Sequence, residues 1–201
     1  MEQDKEMKKL FIPLKAKINI RDILKNINLD GKIGLITTVQ YLDYLNEANK
    51  ILKNSIIGGQ IIGCNVNNAL KIKNKVDKFL FIGEGRFHAL EVALKTKKDV
   101  YIINPFDKKL DKIKKDEIEK VKKDIKVKQL KYLHAKNKGV LVCIKEGQFN
   151  LKEALKLNLP IFLFDTLDER DLENFNIDIW INTACIRIDN KNIINLDDLP
   201  K

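Results

Sequence analysis

The sequence predicts an α/β protein of two repeated units with parallel sheets, preceded by a strand and helix that belong to neither. Two observations carry this. Short apolar, β-rich runs alternate with helix-spaced patterns along the 201 residues. The second half also echoes the first. Gly34–Gln40 (GLITTVQ) returns loosely as Gly139–Gln148, and Val76–Gly83 (VDKFLFIG) returns as Ile177–Thr183 (IDIWINT). The offsets are 105 residues from Gly34 to Gly139 and 101 from Asp77 to Asp178, which indicates duplication of one βα unit. Continuous apolar strands with helices between them suit parallel sheets covered on both faces.

Taken in order, Leu10–Leu14 reads as a strand and Ile20–Ile27 as a helix, an orphan pair whose sheet lies elsewhere. Ile33–Thr37 is the first strand of the repeat, and the spacing of Leu42, Leu45, Ala48, Ile51 and Leu52 predicts a helix over Tyr41–Lys53. Ser55–Ile57 and Ile61–Ile62 flank a Gly-Gly-Gln turn. Phe79–Ile82 and Val100–Ile103 are strands, with a helix over His88–Lys95 between them. Two lysine-rich helices come next, over Leu110–Ile125 and Lys128–Asn137. Strands over Gly139–Ile144, Ile161–Phe164 and Ile177–Ile181 complete the repeat, with helices over Leu151–Leu157 and Glu169–Phe175. The boundaries this suggests are 1–30 for the orphan segment, 31–125 for the first complete unit and 126–201 for the second.

Composition narrows the function. The chain is 44% hydrophobic, enough for a core, and no apolar run approaches the roughly 18 residues of a membrane span. Met1–Lys9 is charged and lacks the apolar centre of a secretory signal, so a cytoplasmic protein is expected. The net charge of +10 invites a nucleic-acid reading, but only four arginines occur, Arg21, Arg86, Arg170 and Arg187. Much of the excess falls in Lys95–Lys138, where lysines alternate with acids as on a solvated helix face. Direct nucleic-acid binding is therefore not expected. An acidic protein partner suits the charge.

In open parallel sheets, ligands gather beyond the carboxyl ends of the strands. The segments to search are 37–40, 58–64, 83–88, 145–148, 165–170 and 182–187. They hold Cys64, Cys185, His88 and three of the four arginines. The third cysteine, Cys143, sits inside an apolar run and reads as a small buried hydrophobe. The spacing of the three matches neither a zinc finger nor a CxxC redox motif. Gly83–His88 fails the GxGxxG pattern at its third glycine. Asp165–Arg170 (DTLDER) reads equally as a helix cap or as an acid-and-arginine site, and His88 as a hydrogen-bonding or a ligand residue. His134, among lysines, reads as surface.

Together the loops resemble the second and third domains of diphthamide synthase, the 2-(3-amino-3-carboxypropyl)histidine synthase family, in its archaeal form. The matching pieces are GLITTVQ (Gly34–Gln40), GGQIIGC (Gly58–Cys64), FIGEGRFHAL (Phe81–Leu90), NPF (Asn104–Phe106), KEGQ (Lys145–Gln148), FDTLDER (Phe164–Arg170) and WINTACIRI (Trp180–Ile188). All stand in the family's order. The resemblance implies Rossmann-like domains around a central 4Fe-4S cluster, with one cysteine from each of three domains. It makes Cys64 and Cys185 two of the cluster ligands. It further implies an open iron that binds S-adenosylmethionine and radical transfer of its 3-amino-3-carboxypropyl group to a histidine of translation elongation factor 2. Arg187, Arg170 and His88 fall to the catalytic set, and Gln60, Gln148, Asp165 and Arg187 to cofactor binding. A bidentate arginine suits the carboxylate of the methionyl group.

The chain departs from the family pattern in two ways. Ile186 stands where proline is usual, and the first domain with its cysteine is missing, which accounts for an orphan strand and helix in 1–30. A complete site then needs a partner: a dimer mate, as the family forms homodimers in archaea, or a separate chain carrying the first domain. The alternative is a non-catalytic binding or assembly subunit of the same machinery.

Overall fold

The computed structural model describes residues 10 and 12–200. The chain divides between Ile113 and Lys114 into two compact units. In the first, β1 (Ile33–Thr37), β2 (Ser55–Gln60), β3 (Lys78–Ile82), β4 (Asp99–Ile103) and β5 (Leu110–Lys112) form a sheet of order β2-β1-β3-β4-β5. The first four are parallel, and β5 returns antiparallel to β4. The helices are α1 (Ile20–Leu24), α2 (Leu45–Ile51), α3 (Asn67–Ile72) and α4 (Phe87–Thr96). The second unit holds α5 (Lys115–His134), β6 (Lys138–Cys143), α6 (Leu151–Leu155), β7 (Ile161–Phe164), α7 (Glu169–Leu172), β8 (Ile179–Asn182) and β9 (Ile193–Asn195). Its sheet is parallel throughout, in the order β7-β6-β8-β9.

The two sheets thus share one order, with the first strand of each unit between its second and third. The repeated residues explain how. Asp77, just before β3, accepts the Lys32 amide (2.7 Å), while its own amide donates to the Lys32 carbonyl (2.8 Å). Asp178, just before β8, accepts the Lys136 and Asn137 amides (2.9 and 2.8 Å) and donates its amide to the Asn137 carbonyl. Those amide bonds, the Asn137 one foremost, hold the Asp178 carboxyl below the usual carboxylate range. Each aspartate ties the start of the third strand to the start of the first.

The repeated glycines do the companion job. Gly34 lies opposite Phe79 and Gly139 opposite Trp180 in the parallel ladders. A Cβ on Gly34 would stand 2.6 Å from the Phe79 ring, and one on Gly139 2.5 Å from the Trp180 ring. Both rings are buried. Gly139→Ala is expected to destabilise the chain by about 1–3 kcal/mol, as overpacking does. Urea unfolding checks this: an unchanged midpoint would show that the indole shifts freely.

Both sheets are covered on two faces. In the first unit, α1 and α2 place Ile20, Ile23, Leu24, Leu45 and Ala48 on Ile33, Leu35, Leu80 and Ile82. In the second, Ala154 packs with Val140, Val142, Ile179 and Ile181, and Leu172 with Leu141, Cys143 and Trp180 on the other side.

Several expectations change. Leu10 and residues 12–14 form no strand, and Leu10, Ile12 and Leu14 are 83%, 74% and 78% exposed; Phe11 lies outside the described residues. The rest of the orphan segment is no separate body, since α1 fills the core of the first unit. Gly58–Gln60 is strand rather than turn: Leu35 faces Ile57 and Ile36 faces Gly59, so Gly58 is the extra residue of a bulge, with Gly59 at φ +100°. Leu110–Lys112 is strand because Asn104 and Asp107 cap a tight reversal after β4. The remaining lysine-rich stretch is the single helix α5, not two. The Glu117 carboxylate starts it by accepting the Lys114 amide, and it runs free of glycine and proline to Ala135. The expected boundary at 125/126 falls inside α5, and the second unit begins earlier.

Candidate functional site

Each unit presents one accessible cysteine at the carboxyl end of its sheet. Cys64 follows β2, the edge strand. The Ile62 amide donates to the Asn65 carbonyl (3.1 Å) and the Asn65 amide to the Ile62 carbonyl (2.9 Å), so Gly63 and Cys64 form the tip of a two-residue turn. Cys64 is exposed while Gly63 is buried. Gln60, at the end of β2, lines a polar cleft of about 310 Å³ with Ile61, Ile62, Asn65, Asn67 and Lys71. Gln60 and Cys64 therefore belong to one loop system.

Cys185 follows β8 and is half-buried. Asn182 organises its loop. The Asn182 Oδ1 accepts the Ala184 amide (2.9 Å), and Nδ2 donates to the Cys185 carbonyl (2.9 Å) and to Asn195 Oδ1 (2.9 Å). Asn182 is itself 2% exposed, while the groups it holds are half-buried. Thr183 donates from amide and hydroxyl to the Leu141 carbonyl, and the Ile188 amide closes a turn on the Cys185 carbonyl. Arg187 is an exposed residue of that turn. Asn150 joins the loop after β6 to this one by donating to the Thr183 carbonyl (2.6 Å).

The other expected residues are distributed over neighbouring loops. Gln148 closes a turn on the Lys145 carbonyl (3.0 Å), with Gly147 at φ +78°. Asp165, exposed after β7, stands 3.9 Å from the Lys145 ammonium. Asp168 caps α7 by accepting the Arg170 amide and also holds the Arg170 guanidinium, at 3.1 Å from Nε and 2.5 Å from Nη2. That arginine draws the Asp168 carboxyl below its ordinary range. Both readings of the motif thus meet in Asp168, and Arg170 turns onto its own loop rather than onto Cys185. His88, in the first turn of α4, lies against the rings of Phe81 and Phe87 (6.0 and 5.4 Å). Cys143 is sealed in the core, its thiol 3.8 Å from the Asp165 carbonyl.

Sequence reasoning missed two residues that join these loops. Tyr41 is buried, and its hydroxyl donates to Glu84 (2.7 Å) across the carboxyl ends of β1 and β3. Burial, reinforced by Glu84, drives the Tyr41 hydroxyl well above its ordinary range. Only their place in two strand-end motifs could have flagged them.

The pattern of the diphthamide synthesis protein family matches residues 1–195. The chain belongs to that family. Two curated relatives are named 2-(3-amino-3-carboxypropyl)histidine synthase. That of Pyrococcus horikoshii is 30% identical over 210 residues, spanning 91% of this chain and 60% of its own length. That of Methanocaldococcus jannaschii is 32% identical over 206 residues, spanning 91% and 56%. The chain therefore spans somewhat over half of these relatives. The crystal structure of Dph2 from Pyrococcus horikoshii with a 4Fe-4S cluster superposes with a TM-score of 0.80 at 27% identity, covering 92% of this chain and 62% of that one. A second crystal structure of that protein gives 0.78 at 28%. The mixed α/β fold with parallel sheets is thus that of Dph2.

The donor chemistry fits such a cluster in part. Iron–sulfur clusters are held by cysteine thiolates, and Cys64 and Cys185 are accessible sulfurs on hydrogen-bonded turns. Among the described residues, no group of three or more His, Cys, Asp or Glu stands together to hold a metal alone. No described helix is long and apolar enough to cross a membrane.

Proposed function

We propose that this chain is a cytoplasmic subunit of a 3-amino-3-carboxypropyl transferase that carries out the first step of diphthamide formation. S-adenosylmethionine is the donor and C2 of a histidine in translation elongation factor 2 the acceptor. The products are the alkylated histidine, methylthioadenosine and a proton. Cys64 and Cys185 would be two thiolate ligands of a 4Fe-4S cluster, which when bound would lend the electron that opens the bond between sulfur and the γ-carbon and take one back as the alkylated histidine loses its proton. One observation supports this above the rest: in a chain of this family, the two cysteines of its motifs stand on accessible strand-end turns while Cys143 is sealed.

The protein's own groups bind and orient. Arg187, beside Cys185, pairs with the methionyl carboxylate, and the Asp165 carboxylate with its ammonium group. Gln60, at the end of β2, and Gln148, in the turn after β6, carry amides that can both donate to and accept from the same group. Arg170 can reach substrate only by leaving Asp168. His88 serves the reacting end from α4. Because Cys143 is sealed in the core, the third thiolate is a further strand-end cysteine from outside the described residues.

Anaerobic reconstitution with iron and sulfide tests the reading. The chain mixed with a partner that supplies one further strand-end cysteine is expected to gain an oxygen-sensitive iron–sulfur absorbance that neither chain shows alone. No cluster in any mixture would overturn it. Unaltered modification in cells carrying both Cys64→Ala and Cys185→Ala would instead establish the non-catalytic binding or assembly subunit.

A further inference from the structure

We infer that Phe87 is a positioning residue for Cys64, bracing its turn through the buried backbone of Gly63. The inference rests on the reading of Cys64 as a cluster ligand. Two backbone hydrogen bonds close the Ile62–Asn65 turn, and an isolated two-residue turn is marginal in water. Ile62, Cys64 and Asn65 are exposed, Asn65 Oδ1 accepts the Asn67 amide, and Gly63 is the residue of the turn that is buried.

Gly63 packs against a ring. A Cβ on Gly63 would stand 1.9 Å from Phe87 Cε1 and 2.7 Å from Cδ1 and Cζ. Gly63 is not among the residues with positive φ, so glycine is required for close approach rather than for backbone freedom. Phe87 is itself fixed. Its ring meets His88 edge-on at 5.4 Å, and His88 leans on Phe81. The loop before it is pinned on one side by Glu84 to Tyr41 and on the other by Arg86 to Asp111 and the Lys112 carbonyl. Anchors on both sides of the sheet thus converge on the ring that carries the cysteine turn. A ligand held this way keeps its sulfur in place when the metal is absent, which is the requirement for a preorganised site.

Hydrogen exchange of the Asn65 amide, read by NMR on the intact chain, tests the brace without any cluster. Phe87→Ala is expected to speed exchange about tenfold, with Phe87→Leu near the parent. Gly63→Ala should loosen the turn similarly, because its methyl collides with the ring. The double variant should be no looser than Phe87→Ala alone, since the methyl then occupies the vacated space. In the reconstituted complex, Phe87→Ala should release iron to a chelator several-fold faster and alter the electron paramagnetic resonance line shape, with both effects reversed by Phe87→Leu. Exchange at the parent rate in Phe87→Ala, or effects of the two substitutions that simply add, would overturn the inference. Should Phe87→Ala fail to fold, Gly63→Ala and Phe87→Leu carry the same test. A turn that loosens as expected in a chain that never gains a cluster would refute the cluster reading and leave the brace standing.

Discussion

Cys64→Ala and Cys185→Ala are each expected to abolish stable iron binding and aminocarboxypropyl transfer in the complemented protein, with little change in folding. Each thiol lies on a turn outside the hydrophobic core, so truncation opens no sealed cavity. Removing a thiolate leaves a second iron without a protein ligand, and a cluster held by only two thiolates is lost to solvent and oxygen. Cys143→Ser should behave in the opposite way. Its thiol is 1% exposed among Leu141, Phe164, Leu172 and Trp180, where a hydroxyl is poorly matched. A loss of about 1–3 kcal/mol in stability with normal iron content is expected. Iron analysis and urea titration of the three variants, side by side, separate the roles. Equal iron loss in all three would refute the assignment.

Asn182→Ala should be the most disruptive single change among the residues that shape the Cys185 loop. The side chain satisfies the Ala184 amide, the Cys185 carbonyl and Asn195 Oδ1 from a buried position. Truncation strips the Ala184 amide and Asn195 Oδ1 of this partner and leaves the Cys185 carbonyl with the Ile188 amide alone, at a cost of about 1–3 kcal/mol. The loop of Cys185 should then open, so that alkylation of Cys185 accelerates while that of Cys64, in the other unit, does not. Asn182→Asp keeps the acceptor for Ala184 but points carboxylate oxygens at two other acceptors, and should be no better tolerated. Mass-spectrometric mapping of alkylated peptides reads both sites in one sample. Matched rates at the two cysteines would show that Asn182 is not what holds the loop.

Distance along the chain decides how much of this was legible in the sequence. The parallel architecture was legible, because a buried strand needs a continuous apolar run and β1, β3, β6 and β8 have one. The duplication was legible for a sharper reason: its matched residues, Gly34 with Asp77 and Gly139 with Asp178, are those whose chemistry the ladder cannot replace. Other features depend on tertiary pairing. Leu110–Lys112 carries no strand signature of its own and becomes one by lying along β4. Leu10–Leu14 is a short apolar run like a strand's, yet its described residues find no sheet. At the candidate site, the strand-end cysteines could be found from glycine and polar context. The reach of Phe87 to Gly63 and of Tyr41 to Glu84 could not, because neither pair has a local pattern.

The shared sheet order puts the two thiols in different places on one frame. In the common topology, β2 corresponds to β7 and β3 to β8. Cys64 follows β2, whereas Cys185 follows β8, so the two thiols occupy different slots of the copied unit. The slot matching Cys64 holds Asp165–Arg170, and the slot matching Cys185 holds Gly83–His88. The aspartate and glycine that build the sheet do recur, and the sulfur does not. The two units thus share a frame and differ in where that frame carries its sulfur, as expected where chemistry sits on the loops of a rigid scaffold.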